Sequence, residues 1–155
     1  MSNNNIDTLW KNYLCSIRED ENTTKLTYDS WHFGCTEQLA NELAEIVLNE
    51  EKTATTSLNY LYEVENEDLP KIGKLSVVTD FDGNAKCIIR INSVNVLPFS
   101  NVDSEFAYKE GEGDRSLEYW REGNIKFFNM KLEELNLKFS EDMLVVCEEF
   151  EVVYK

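Results

Sequence analysis

The sequence predicts an α+β fold in which helices lie against a small barrel or curled sheet. Apolar residues recur at helical spacing from Ile6 to Ile17 and predict an amphipathic helix at the start of the chain. Two strand-like segments flank Asp82 and Gly83, a pair that is typical of a tight hairpin turn. A segment rich in β-branched residues over 143–154 predicts a closing strand. Helices followed by hairpins and a final strand are typical of the α+β class.

Two helices are predicted in the first third of the chain. The first covers 5–18, and its apolar stripe consists of Ile6, Leu9, Trp10, Tyr13, Leu14 and Ile17. Residues 19–30 are polar and are predicted to form a loop. Thr36 is suited to cap a second helix, whose buried face is predicted to contain Leu39, Leu43, Ile46 and Val47.

The remaining elements follow from changes in periodicity. Strands are predicted over 53–62, 74–81 and 85–96, and a helical stretch is predicted near 103–110. Gly111 and Gly113 interrupt that stretch. Asp114 or Ser116 can begin another helix, with an apolar face formed by Leu117, Trp120, Phe127 and Phe128.

The composition excludes several classes of protein. The chain has 155 residues with 15 Lys and Arg against 30 Asp and Glu, a formal charge of -15. Phosphate backbones repel such a chain, so we do not expect a general binder of duplex DNA. No apolar run is long enough to span a membrane, and the N-terminus lacks the pattern of a signal peptide. We therefore expect a cytoplasmic protein with a single domain over 1–155.

Cysteine and histidine spacing gives no indication of a metal site. The four Cys residues are far apart with no CxxC pair, and His32 is the only His. A zinc site needs about four clustered ligands. A phosphate-binding glycine loop is also missing from the sequence. We predict free thiols in a reducing compartment, no metal and no cofactor.

The negative charge is unevenly distributed. Residues 71–131 contain nine basic and nine acidic side chains, so the other segments carry the whole net charge of -15. If the protein binds an anionic ligand, the balanced segment is the expected place. Ordinary solvated charge is the alternative interpretation.

The segment from Lys52 to Thr56 is the first candidate for chemistry. It lies where a helix is predicted to meet a strand, and it combines an amine with three hydroxyls. A Thr hydroxyl becomes nucleophilic when a neighbouring base takes its proton, and a buried Lys can be that base. Lys52 and Thr55 share a face on a helical turn but lie on opposite faces of a regular strand. An exposed Lys before a Thr-rich strand is the alternative.

Three carboxylates and several aromatic rings form further candidates. Glu110, Glu112 and Asp114 alternate with two glycines, and crowded carboxylates raise one another's pKa, which suits a general acid. A flexible acidic loop is the alternative. Rings able to stack on a nucleobase are Trp31, Phe33, Trp120, Phe127 and Phe128, although helical spacing predicts the last three as mainly core residues.

These segments resemble the ASCH family over about residues 31–154. The matching stretches are WHFGCTEQLANELAEIVL, EKTATTSL, LPKIGKLSVVTDFDGNAKCIIRINSVNVLPFSNV, EFAYKEGEGDRSLEYWREGNIKFF and MLVVCEEFEVVY. The resemblance implies a PUA-like small β-barrel of about five to six strands with flanking helices, and the helix over 5–18 packed on it. Relatives often carry Gly just before the Lys, where this chain has Glu50 and Glu51, and a His where it has Asn124.

The resemblance also implies two kinds of function. Small bacterial members resemble amidohydrolases of N4-acylated cytidine, and their Lys, Thr and Glu correspond here to Lys52, Thr55 and Glu110. ASCH domains are also proposed to bind RNA, so the resemblance implies a non-catalytic RNA-binding or regulatory module as the alternative. We therefore expect a small nucleoside or a short single-stranded RNA as ligand, with contacts from Trp31, Phe33, Thr53, Arg90 and Arg121. A barrel that serves only protein interaction is a third alternative, since fold alone does not fix function. The oligomeric state stays open.

Overall fold

The structure is a computed structural model that describes residues 2–155, with side chains described from Asn5 onward. The predicted domain starts at Met1, which lies outside the described residues. Five α-helices, a short 3-10 turn and five strands make up the fold. In chain order they are α1 Ser2–Ser16, β1 Tyr28–Trp31, α2 Glu37–Leu48, β2 Ala54–Leu58, α3 Asn59–Glu65, β3 Leu75–Thr79, β4 Ala85–Pro98, the turn Phe99–Asn101, α4 Ser104–Glu110, α5 Leu117–Glu133 and β5 Leu144–Tyr154.

The five strands form one mixed sheet in the order β1-β3-β4-β5-β2. Strand β1 runs parallel to β3, whereas the pairs β3/β4 and β2/β5 are antiparallel. The α+β class is therefore confirmed, but the expectation of a closed barrel is wrong. Across residues 2–155, β1 and β2 are the two edges of the sheet and do not pair with each other. Closure requires that the edge strands pair, and these edges are only four and five residues long.

Two local predictions differ from the structure. The polar segment 19–30, predicted as a loop, contains most of β1, because parallel pairing with β3 holds Tyr28–Trp31 extended. The strand predicted over 53–62 ends at Leu58, and α3 follows directly. Pairing with a distant strand decides where β1 begins and where β2 ends, and the local composition does not predict such pairing.

The N-caps follow the sequence prediction closely. Thr36 accepts a hydrogen bond from the Leu39 N–H at the start of α2, and Ser116 accepts one from the Tyr119 N–H at the start of α5. The buried face of α2 is rotated from the predicted one. It consists of Ala40, Leu43, Ala44 and Val47, while Leu39 is 37% exposed. Two small alanines permit close packing on that side, which a search for large apolar residues overlooks.

The chain divides into two compact units, which we describe separately. The first contains 1–51, 72–92 and 150–155, and the second contains 52–71 and 93–149. In the first unit, α1 packs through Trp10, Tyr13 and Leu14 against Leu75, Val77 and Ile88. A second apolar cluster of that unit joins α2 to its strands through Ala44, Val47, Val78, Cys87, Ile89 and Phe150.

The second unit has its own apolar core between α5 and its strands. Its buried members are Leu58, Phe99, Val102, Ala107, Trp120, Phe128, Leu132, Val145 and Cys147. Trp120 stacks on Phe99 with ring centroids 4.9 Å apart. The core positions predicted for Trp120 and Phe128 are confirmed, whereas Phe127 is 39% exposed. No helix within residues 2–155 is both long and apolar enough to cross a bilayer.

We expect the four thiols to react in two classes. Burial raises the pKa of Cys87 and of Cys147 to about 12, whereas Cys15 and Cys35 are exposed. At pH 8 a thiol with that pKa is ionised in only about one molecule in 10⁴, and the thiolate is the reactive form. Iodoacetamide followed by mass spectrometry should therefore modify Cys15 and Cys35 alone in the folded protein.

The same reaction in guanidinium chloride is the control and should modify all four residues. Modification of a buried thiol as fast as that of Cys15 without denaturant would contradict the predicted packing.

Candidate active site

A buried ammonium group lies in the second unit. Lys52 is only 1% exposed, and its Nζ lies 3.2 Å from Glu110 Oε1 and 3.0 Å from Glu112 Oε2. The same Nζ donates to the backbone carbonyl of Glu110 at 3.3 Å. The three N–H bonds of an ammonium are thus matched by three acceptors, two of them on carboxylates. A buried charge is stable only when it is paired in this way.

The end of α4 places these groups beside the segment that precedes β2. The last carbonyls of a helix lack partners within the helix and must find donors elsewhere. The Lys109 carbonyl accepts from the Thr53 N–H at 2.7 Å, and the Glu110 carbonyl accepts from Lys52. Gly111 ends the helix with a φ of +72°, a conformation that favours glycine. The predicted ligand contact Thr53 also directs its hydroxyl to the Lys109 carbonyl, at 3.4 Å.

The second carboxylate oxygen of Glu110 is held by two further donors. Thr56 donates its hydroxyl to Glu110 Oε2 at 2.6 Å, and the indole N–H of Trp120 donates to the same oxygen. Glu110 itself is 4% exposed. Among the side chains that the structure describes, no buried nitrogen or oxygen lacks a hydrogen-bond partner. The carboxylate of Glu110 is therefore fixed by donors at both of its oxygens.

The hydroxyl that contacts Glu110 belongs to Thr56. The sequence instead predicts Thr55 as the catalytic threonine. Neighbouring residues of a strand point to opposite faces, so Thr55 lies on the other face of β2 from Thr56. Across the sheet Thr56 pairs with Cys147 and Thr55 pairs with Glu148. The side chain of Thr56 also hydrogen-bonds that of Cys147. The catalytic role of Thr55 stays a prediction, and Thr56 joins the candidate site.

The carboxylates of the glycine-containing loop have separate surroundings. Glu110 and Glu112 both reach Lys52, and the side chain of Glu112 is 35% exposed. Asp114 instead accepts from the Ser116 N–H at 2.9 Å, and its hydrogen bonds with Ser116 lower the pKa of Asp114 below its usual value. Two of the three predicted carboxylates therefore converge on one amine.

The other predicted ligand contacts have partners within their own units. In the first unit, Arg90 forms an ion pair with Glu151, and the rings of Trp31 and Phe33 pack edge to face at 4.6 Å. In the second unit, Arg121 forms an ion pair with Glu141. Their roles in ligand binding stay predictions.

Sequence reasoning treated Trp120 as a core residue and did not select Thr56. Trp120 is indeed buried, but its ring nitrogen also serves the Glu110 carboxylate. A buried indole N–H needs an acceptor, and this requirement was the available signal. For Thr56, the signal was its spacing from Ala54. Residues two apart on a strand share a face, so Thr56 lies on the same face of β2 as the buried Ala54.

Comparison with known proteins agrees with this architecture. A family model described as the ASCH domain matches residues 29–154. The chain belongs to the ASCH domain family. The crystal structure of an ASCH domain from Lactobacillus crispatus JV V101 is 40% identical, with a TM-score of 0.89 over 96% of this chain and 94% of that one. A protein from Enterococcus faecalis V583 is 36% identical, with a TM-score of 0.86 over 97% and 89% of the two chains. A search of curated proteins found no match.

This ASCH domain keeps a glycine-like backbone just before Lys52. Glu50, two residues before Lys52, adopts a φ of +61°, in the left-handed region that glycine favours. Its carboxylate lies 3.3 Å from the ammonium of Lys155. Among the described residues, no group of three or more His, Cys, Asp or Glu side chains is arranged to hold a metal ion.

Replacing Lys52 by Met should destabilise the ASCH domain by about 3–5 kcal/mol, because Glu110 would stay buried without its cation. The double variant Lys52→Met with Glu110→Gln should recover part of that loss, since the unpaired charge is removed with its partner. Urea unfolding measures both changes. Lys11 forms an exposed ion pair with Glu21, so Lys11→Met is the matched control and should cost less than about 1 kcal/mol. Equal losses in the two single variants would contradict the prediction.

Two glycines of this ASCH domain should respond in opposite directions to alanine. Gly113 has a φ of +60°, and an added Cβ would lie 2.4 Å from the ring of Tyr119. Gly113→Ala should therefore cost about 1–2 kcal/mol. Gly123 lies within α5 with no atom near the added Cβ, so Gly123→Ala should stabilise by roughly 0.5–1 kcal/mol. Thermal unfolding compares the two, and a change of the same sign in both would contradict the assigned backbone conformations.

Proposed function

We propose that this ASCH domain is an amidohydrolase that removes the acyl group from an N4-acylated cytidine. The observation that supports it is the contact between a buried amine, Lys52, and a buried carboxylate, Glu110, at the positions that the family resemblance implies. An amine held by a carboxylate beside a Thr-rich strand has the components of a base that activates a hydroxyl. The overall reaction adds water across the amide bond and yields a carboxylic acid and the free N4 amine of cytidine.

The proposed steps divide the work among three residues. Thr55 attacks the acyl carbon and passes its proton to Lys52 in the neutral amine form, while Glu110 holds Lys52 in place. The C–N bond breaks, the amine leaves with a proton, and an ester forms on Thr55. Water then hydrolyses the ester and restores the hydroxyl. Thr56 is a positioning residue in this scheme because its proton is already donated to Glu110.

The attack by the Thr55 hydroxyl depends on its distance from Lys52. Lys52 precedes the first residue of β2, while Thr55 is the second residue of that strand. The proposal requires that ligand binding bring Thr55 Oγ1 within about 3.2 Å of Lys52 Nζ, directly or through one water molecule. Thr53 and Arg121 are the proposed ligand contacts of this unit.

A short single-stranded RNA is the less favoured ligand. Binding of a polyanion depends on cations that neutralise phosphates. In the second unit, Arg121 lies against Glu141, and Lys109 lies 2.8 Å from Glu149. Hydrogen bonding to Glu149 raises the pKa of Lys109 and keeps the pair charged. Cations already paired with carboxylates favour a small nucleoside over a nucleic acid strand.

Hydrolysis of N4-acetylcytidine is the direct test, with release of acetate and cytidine followed by chromatography. We expect the parent to hydrolyse it and Thr55→Val to lose roughly 10³-fold or more in kcat, since the nucleophile is removed. Thr56→Val is the matched control with the same change on the other face of β2. It should lose only about tenfold, through a less firmly held Glu110.

Three outcomes would contradict parts of this proposal. An inactive, folded parent would contradict the amidohydrolase function, and salt-dependent binding of single-stranded RNA by that parent would favour the binding module. If Thr56→Val abolishes turnover while Thr55→Val does not, the nucleophile is assigned to the wrong residue. Circular dichroism of each variant separates a loss of activity from a loss of folding.

A further inference from the structure

We propose that Glu112, and not Glu110, exchanges protons with the ligand during turnover. This inference rests on the proposed amidohydrolase function and assigns a role that the Lys, Thr and Glu set leaves open. It follows from the different surroundings of the two carboxylates that contact Lys52.

Glu110 is poorly placed to release or accept a proton. Its Oε2 accepts from Thr56 and Trp120, and its Oε1 lies against the ammonium of Lys52. Hydrogen bonds to the ionised form stabilise that form. With donors at both oxygens and only 4% exposure, Glu110 can hold Lys52 but has no open side toward a ligand.

Glu112 has the opposite character. Its Oε2 lies 3.0 Å from Lys52 Nζ, the shorter of the two carboxylate contacts, while 35% of its side chain is exposed. It lies between Gly111 and Gly113, both in the left-handed region with φ of +72° and +60°. Glu112 therefore bridges the buried amine and the surface from which a ligand arrives.

The charge count supports a second function for this carboxylate. One ammonium requires one carboxylate for neutrality, and Glu110 supplies it at 3.2 Å. Glu112 adds a negative charge that a purely structural pair does not need. The extra charge is located at the more exposed residue, where it can be neutralised by a proton during the reaction.

Proton transfer through Glu112 balances the proposed reaction. Lys52 first gives one proton to Glu112, which leaves a neutral amine beside a protonated carboxyl. The amine takes the proton of the attacking Thr55 hydroxyl, and Glu112 gives its proton to the departing N4 nitrogen as the C–N bond breaks. Lys52 is then again an ammonium and Glu112 a carboxylate. In the second half, water attacks the acyl carbon and gives a proton to Glu112, while Lys52 gives a proton to the Thr55 oxygen as the ester C–O bond breaks and the carboxylic acid leaves. Glu112 then returns its proton to Lys52.

The experiment compares Glu112→Gln with the parent on two substrates. On N4-acetylcytidine the variant should lose about 10²–10⁴-fold in kcat. On N4-acetyl-5-fluorocytidine the leaving amine is less basic, so the loss should be clearly smaller. A residue with only a structural role would lower both rates equally. Glu122→Gln, which removes an exposed carboxylate of α5, is the matched control and should leave both rates unchanged.

Each outcome decides between the two proposals. A parent that hydrolyses neither substrate overturns the amidohydrolase function and this inference with it. A parent that is active while Glu112→Gln keeps the parental rate on both substrates overturns only the role of Glu112. An equal loss on both substrates assigns Glu112 to positioning of Lys52 and overturns its role as proton donor.

Discussion

The burial of the Lys52 ammonium is the constraint on which the second unit depends. Removing one charge from water costs several kcal/mol, and only close partners with good geometry offset it. The partners come from two places, the carbonyl end of α4 and the loop that follows it. Glu110 then needs donors of its own, which Thr56 on β2 and Trp120 on α5 supply. One desolvated charge thus fixes the relative positions of a strand, two helices and a loop.

This arrangement places a buried polar network beside the apolar core of the same unit. Trp120 belongs to both, since its ring stacks on Phe99 while its N–H serves Glu110. The aromatic packing holds the indole in place, and the indole in turn fixes the carboxylate. A catalytic group held in this way loses little freedom when a ligand binds, which is the advantage of preorganisation. Glu112 is the more exposed of the two carboxylates in this network, with 35% of its side chain accessible.

The sequence predicts those parts that have a local cause. The helix caps depend on residues three positions apart; the sequence identified Thr36 and left Asp114 and Ser116 as alternatives, of which Ser116 is the cap. The pairing of Lys52 with Glu110 spans 58 positions and was accessible only through family resemblance. The choice between Thr55 and Thr56 depends on where β2 begins, and the boundaries of elements are poorly marked in a sequence. The open sheet was missed because edge pairing is set by tertiary contacts.

The charge balance along the chain also differs from the charge that the fold leaves unpaired. Residues 71–131 are balanced in sequence, yet several of their cations form ion pairs within the fold. Arg90 in the first unit and Lys109 in the second pair with Glu151 and Glu149, acids of the same closing strand. The acidic C-terminal segment therefore neutralises cations that a count along the chain would assign to a ligand. Arg90 and Lys109 are therefore less available to phosphate groups, which is consistent with the small ligand of the proposed function.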